Sequence, residues 1–142
     1  MKRRKDEQKM RKIKFRGKRV EDSELIFGYY VFTHDSNRII YEDYEGFYCE
    51  EEVIPESVGQ YTGLKDKNGR EIYEGDILKI DDDWEKWGFA SGFVGYVIYD
   101  QGSFKLKEGE IYDPAYRLDS AAEEGTTVIG NVYENPELLE EK

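Results

Sequence analysis

The dipeptide Asn68-Gly69, set between Tyr61-Thr62-Gly63-Leu64 and Ile72-Tyr73, constrains this chain more than any other feature. Asn and Gly both tolerate positive φ, and a reversal built on them between two extended segments makes a β-hairpin. The same punctuation recurs at Asp100-Gln101-Gly102, between residues 93–99 and 103–107, where Phe104 and Leu106 alternate with Ser103, Lys105 and Lys107. That alternation is the period of a half-buried strand. Glu74-Gly75-Asp76 turns the chain again before Ile77-Leu78-Lys79-Ile80, in which Leu78 and Ile80 are expected to share the buried face. Reversals this close together build antiparallel sheets. Composition agrees, because twelve Tyr, seven Phe and fourteen Gly suit pleated surfaces and tight turns better than helices. The expected class is mainly β.

Earlier strands are expected at residues 13–16, at 25–32 before the turn residues His34-Asp35-Ser36-Asn37, at 38–41 and at 46–49. A last one covers 126–133 and is stopped by Asn135-Pro136. Residues 58–64 carry no charge and two glycines, and read as a buried crossover with Tyr61 in the core. Residues 81–92 read as a polar loop holding Trp84 and Trp87. A length of 142 residues fits one domain. The expected division is a flexible basic extension over residues 1–12, one β domain over 13–138 and a tail over 139–142, with the end of the chain a short helical turn or frayed.

Charge is divided unevenly. Residues 1–19 hold eleven Lys or Arg against Asp6 and Glu7, a net of +9, which leaves −20 for the rest of a chain whose total is −11. An acidic body repels nucleic-acid phosphates, while a basic arm attracts them or an acidic surface. No apolar run is long enough for a membrane span and the basic start is not followed by a signal-type apolar stretch, so a cytoplasmic location and no membrane contact are expected. Cys49 is the single cysteine, which leaves no intramolecular disulfide and fits a reducing compartment.

Each chemically suggestive group has a plainer structural role beside it. His34-Asp35 offers a neutral-pH acid and base, but it stands without a second histidine or a nucleophile motif and reads as a turn. Cys49 is followed by Glu50, Glu51 and Glu52, neighbours that disfavour a thiolate. Asp81, Asp82, Asp83 and Glu85 form a hard-oxygen group without the spacing of a calcium loop. No glycine pattern makes a phosphate loop. Asp66, Glu74 and Asp76 are assigned to capping turn amides.

Four stretches together resemble the YopX family: Ile13-Lys14-Phe15-Arg16-Gly17, then residues 58–69 from Val58-Gly59-Gln60-Tyr61 to Lys67-Asn68-Gly69, then Ile72-Tyr73-Glu74-Gly75-Asp76, and Val128-Ile129-Gly130-Asn131-Val132-Tyr133-Glu134-Asn135-Pro136. They extend over residues 13–138 in order, which is far more specific than any one of them. The resemblance implies an SH3-like barrel or β-roll core and a phage or prophage origin, and it brings no activity to carry over. Members usually begin near the position of Met10, which makes Met10 an alternative start and weakens any role hung on Lys2, Arg3, Arg4 and Lys5.

The expected function is therefore a non-enzymatic phage accessory module that contacts itself or a host or phage protein through Trp84, Trp87 and Tyr61. One alternative is nucleic-acid association through Lys2, Arg3, Arg4, Lys5, Arg11 and Lys12, with tyrosines stacking bases. An acidic mimic of DNA is a second, and a metal-dependent enzyme using Asp81, Asp82, Asp83 and Glu85 ranks last. No cofactor is expected.

Overall fold

A computed structural model describes residues 10–81, 93–107, 117–120 and 122–140. The chain divides into two units, Met1–Gly63 and Leu64–Lys142, and both are built from antiparallel strands.

The first unit contains β1 (Phe15–Lys18), β2 (Leu25–Thr33), β3 (Ser36–Glu42), β4 (Tyr48–Glu52) and the start of β5 (Gly59–Lys65), which runs on past Gly63. With β6 (Glu71–Tyr73) the strand order is β4-β3-β2-β1-β5-β6. The stretch expected to be a crossover is thus itself a strand.

β2 serves two partners in succession. Leu25 to Gly28 pair with β1, ending at Phe15↔Gly28, and Tyr29 to Thr33 pair with β3, beginning at Tyr29↔Ile40. The exchange falls at Gly28, where an added Cβ would lie 2.1 Å from the Ile40 carbonyl oxygen. Only glycine admits that approach. His34 and Asp35 then reverse the chain with φ of 53° and 59°, the two positive values of a type I′ hairpin turn.

Directly paired residues share a face. Phe15, Gly17, Ile26, Gly28, Tyr30, Ile39 and Tyr41 therefore lie on one side of this sheet. That side carries the unit's core of Ile26, Ile39 and Val53, with Phe15, Tyr41 and Val58 packed against it. A short 3₁₀ turn, Pro55–Ser57, is tied to β1 through Ser57, whose Oγ accepts the Lys18 amide at 2.7 Å and donates to the Ile54 carbonyl at 2.6 Å.

The second unit adds β7 (Asp76–Ile80), β8 (Val94–Asp100), β9 (Ser103–Lys107), the single helical turn α1 (Ala122–Gly125) and β10 (Thr126–Asn131). Its sheet order is β10-β7-β8-β9. Ile72, Leu78, Ile80, Val97, Leu106, Leu118, Ala122 and Val128 form the core, with Leu64, Phe93 and Phe104 alongside. Leu78 and Ile80 share the buried face as expected, with Lys79 exposed between them, and Ile77 is fully buried as well, so the second face of β7 is covered at its start.

Among the described residues neither sheet closes into a barrel, because each ends on two distinct edge strands. The fold is mainly β in two open antiparallel sheets. The end of the chain forms a 3₁₀ turn at Pro136–Leu139.

The two hairpins read most clearly from sequence are present, with one difference. Gln101 and Gly102 have φ of 52° and 84° between the pair Asp100↔Ser103, a two-residue reversal. Between β5 and β6, only Gly69 has positive φ. Gly69 N–H donates to the Asp66 carbonyl at 3.0 Å and Asp66 N–H to the Arg70 carbonyl at 2.8 Å. The loop is therefore Lys67-Asn68-Gly69, a turn followed by one left-handed residue, and not a two-residue Asn-Gly turn.

Candidate interaction surface

The motif-rich stretches of the second unit resolve into scaffold. Asp66 is buried, and its carboxylate accepts the amides of Asn68, Arg70 and Val128, each at 2.9 Å. Asp76 accepts the Tyr73 amide at 2.8 Å. Asn131 Oδ1 accepts the amides of Tyr133 and Glu134 at 3.0 and 2.9 Å. A Cβ on Gly75 would meet the Tyr133 ring at 2.8 Å, and one on Gly130 would meet the Asn135 side chain at 2.6 Å. Each of these residues makes a turn or permits a close approach.

The first unit is different, because its sheet has an open side. Register places Phe27 and Tyr29 of β2, Arg38, Ile40 and Glu42 of β3, and Tyr48, Glu50 and Glu52 of β4 on the face opposite the core. There Phe27 is 49%, Tyr29 59% and Tyr48 72% exposed. Large aromatic side chains with half their surface in water, gathered on one face, are the kind of patch that marks a contact surface. They surround a cleft of about 240 Å³ lined by Lys14, Phe27, Gly28, Tyr29, Tyr41, Glu42 and Tyr48. Gly28, where β2 changes partner, is part of that lining.

The charges of the open face are mixed. Lys14 Nζ lies 5.5 Å from the centroid of the Tyr61 ring, and Arg38 pairs with Glu50 at 3.5 Å. Glu42 is exposed at the rim. Near the opposite face, Arg19 binds Asp22 at 3.0 Å, Glu51 at 3.4 Å and the Tyr41 hydroxyl at 3.4 Å. The hydrogen bond from Arg19 holds Asp22 below the usual carboxylate range, and the same bond raises the Arg19 pKa. Partial burial, together with the charge of Glu51, raises the Tyr41 phenol.

The residues singled out from sequence fall in several places. Tyr61 is buried on β5, only 7% exposed, where it supports Lys14. Arg11 and Lys12 are exposed just before β1. Trp84, Trp87, Lys2, Arg3, Arg4 and Lys5 lie outside the described residues, as do Asp82, Asp83 and Glu85. Asp81 pairs with Lys67 at 2.8 Å, and no group of three or more His, Cys, Asp or Glu is placed to hold a metal among the described residues. His34 is exposed in its turn, and the Cys49 thiol lies 3.8 Å from the Asp43 carboxylate. No helix among the described residues is long and apolar enough to cross a membrane.

Phe27, Tyr29, Glu42 and Tyr48 were not distinguished by sequence. The available signal is that β2 is apolar on both faces, Ile26 and Tyr30 on one and Phe27 and Tyr29 on the other, in a unit whose core is too small to use both.

Fold and surface together define a small antiparallel β protein with an open, aromatic sheet face in its first unit. A model of the YopX family, described as YopX protein, matches residues 14–140. The chain belongs to the YopX family. Among solved structures it is similar to the crystal structure of protein EF1440 from Enterococcus faecalis, at 25% identity and a TM-score of 0.57, over 92% of this chain and 100% of that one. No curated protein matches.

Proposed function

We propose that this chain is a non-enzymatic interaction module of phage or prophage origin, acting in the bacterial cytoplasm, that binds a protein partner on the open face of its first sheet. The observation that carries the reading is the grouping of Phe27, Tyr29 and Tyr48, each about half exposed or more, around one cleft. Aromatic side chains bury much area at little entropic cost and dominate the energetics of contact surfaces. The second unit, with the buried Ile77, Leu78 and Ile80 of β7 and the β-roll character expected of the family, serves as scaffold in this reading. Glu42, Glu50 and Glu52 on the same face favour a protein over nucleic acid, since they repel phosphates.

The test is capture from host lysate by full-length protein, with and without nuclease, beside the variant Tyr29→Ser/Tyr48→Ser and the variant Trp84→Ala/Trp87→Ala. A discrete protein retained by wild type regardless of nuclease and lost only from the tyrosine variant is the expected result. Equal retention by the tyrosine variant rejects the open face. Loss confined to the tryptophan variant moves the surface to residues 81–92, and loss on nuclease treatment moves the partner to nucleic acid.

A further inference from the structure

We infer that the cleft on the open face receives a cationic side chain, arginine or lysine, carried on an extended basic segment of the partner; this rests on the protein-binding reading above. Aromatic ring faces are electron-rich and attract a cation placed over them, and Phe27, Tyr29 and Tyr48 of the open face line the cleft. Glu42 supplies a full negative charge in the same lining. Among the described residues its carboxylate makes no hydrogen bond or ion pair. Lys14, the one cation in that lining, lies over the Tyr61 ring. A cation entering the cleft therefore meets aromatic side chains and the Glu42 carboxylate.

The surroundings extend the same preference. Glu42 is paired across the sheet with Tyr48. Glu50 and Glu52 follow on the same face of β4, both exposed, at the two-residue step of a strand, about 6.5 to 7 Å. An extended segment alternates its side chains at the same step, so cations at every second position match the row of carboxylates that leads into the cleft. Arg38, bound to Glu50 at 3.5 Å, the buried Arg16 opposite Phe27 and Lys14 over the Tyr61 ring offset much of the charge of this face, while Glu50 and Glu52 keep carboxylates along its β4 edge.

The experiment is a heteronuclear NMR titration of the full-length chain with three blocked heptapeptides of glycine alternating with arginine, with citrulline, or with glutamate. Citrulline keeps the shape and hydrogen-bond donors of arginine and removes its charge. The arginine peptide is expected to shift the amides of Phe27, Tyr29, Glu42 and Tyr48 saturably, and the citrulline peptide to bind about tenfold more weakly, which is 1.4 kcal/mol. Glu42→Gln, on an exposed side chain, should weaken the arginine peptide by a similar factor and leave the citrulline peptide unchanged. Equal affinity of the arginine and citrulline peptides, or an unchanged arginine affinity in Glu42→Gln, overturns the cation inference and leaves the open face standing as an aromatic contact surface. Absence of any shift on that face with all three peptides, while capture in lysate still depends on Tyr29 and Tyr48, also overturns it. If capture itself is independent of those tyrosines, the underlying reading falls.

Discussion

The Asp66 carboxylate and the backbone amide of Val128 are joined by a 2.9 Å hydrogen bond across sixty-two residues of chain. The other oxygen holds the amides of Asn68 and Arg70 at the same distance. One buried side chain thus ends the β5–β6 turn and fastens it to β10.

Removing that carboxylate leaves three amides without their acceptor in a place that is only 4% exposed at Asp66. Stranded buried donors cost about 1 to 3 kcal/mol each where water cannot reach them. Asp66→Ala is expected to lower the unfolding free energy by roughly 2 to 4 kcal/mol, read from the urea midpoint. Asp66→Asn, which keeps one acceptor and turns the other position into a donor, should fall between wild type and Ala. A loss under about 1 kcal/mol for Ala would show that water replaces the carboxylate and that the clamp is dispensable.

Gly28 is the pivot at which β2 exchanges β1 for β3. Because a Cβ there would meet the Ile40 carbonyl at 2.1 Å, Gly28→Ala requires the two strands to separate. A cost of roughly 2 kcal/mol or more is expected, with amide-exchange protection lost first in β2 and β3. Unaltered protection in those strands would mean that the sheet bends elsewhere.

Gln101 occupies the left-handed region at φ 52°, which costs a side chain other than glycine, asparagine or aspartate about 1 kcal/mol. Gln101→Asn places Asn-Gly in this type I′ turn and is expected to raise stability by roughly 0.5 kcal/mol. The paired substitution His34→Asn with Asp35→Gly should do the same at the β2–β3 turn, where both φ values are positive. Thermal midpoints that stay put or fall would contradict the turn assignment.

Turn chemistry is local, and so it was readable: Gly102 and Gly69 marked their hairpins, and Asp66 its amides, without knowledge of the rest of the fold. The length of the Asn68-Gly69 loop was not readable, because the Asp66 carboxylate draws the turn one residue longer. The open face escaped for a different reason. Phe27 and Tyr29 are as apolar as Ile26 and Tyr30, and which face carries the core, buried at Ile26 and still exposed at Tyr30, depends on where Val53 and Val58 pack, a tertiary fact. The same applies to Ile77, whose burial requires cover on the second face of β7. The four-residue turn α1 is too short to show a helical period. The membership of the family, by contrast, was carried by the same glycines, Asp66 and Asn131 that hold the turns, so the motifs report the scaffold and not the contact surface.

Tyr41 links the first unit's core to its charged edge and gives a pH-dependent test of that arrangement. Its hydroxyl donates to Glu51 at 3.3 Å and accepts from Arg19 at 3.4 Å. Burial raises its pKa above the ordinary 10.0, and the negative charge of Glu51 adds to the rise. In this range the unfolded chain loses the phenolic proton before the folded one, so the unfolded state binds fewer protons and stability falls as pH increases. The contribution is complete below the unfolded value of 10.0 and is lost as pH climbs through the folded one. Urea unfolding at a series of pH values from about 9 to 11 should therefore show a steeper decline for wild type than for Tyr41→Phe, and the absorbance of ionised tyrosine should lose a late-titrating component in the variant. Parallel declines in the two proteins would place the Tyr41 phenol in ordinary solvent and dissolve its coupling to Glu51.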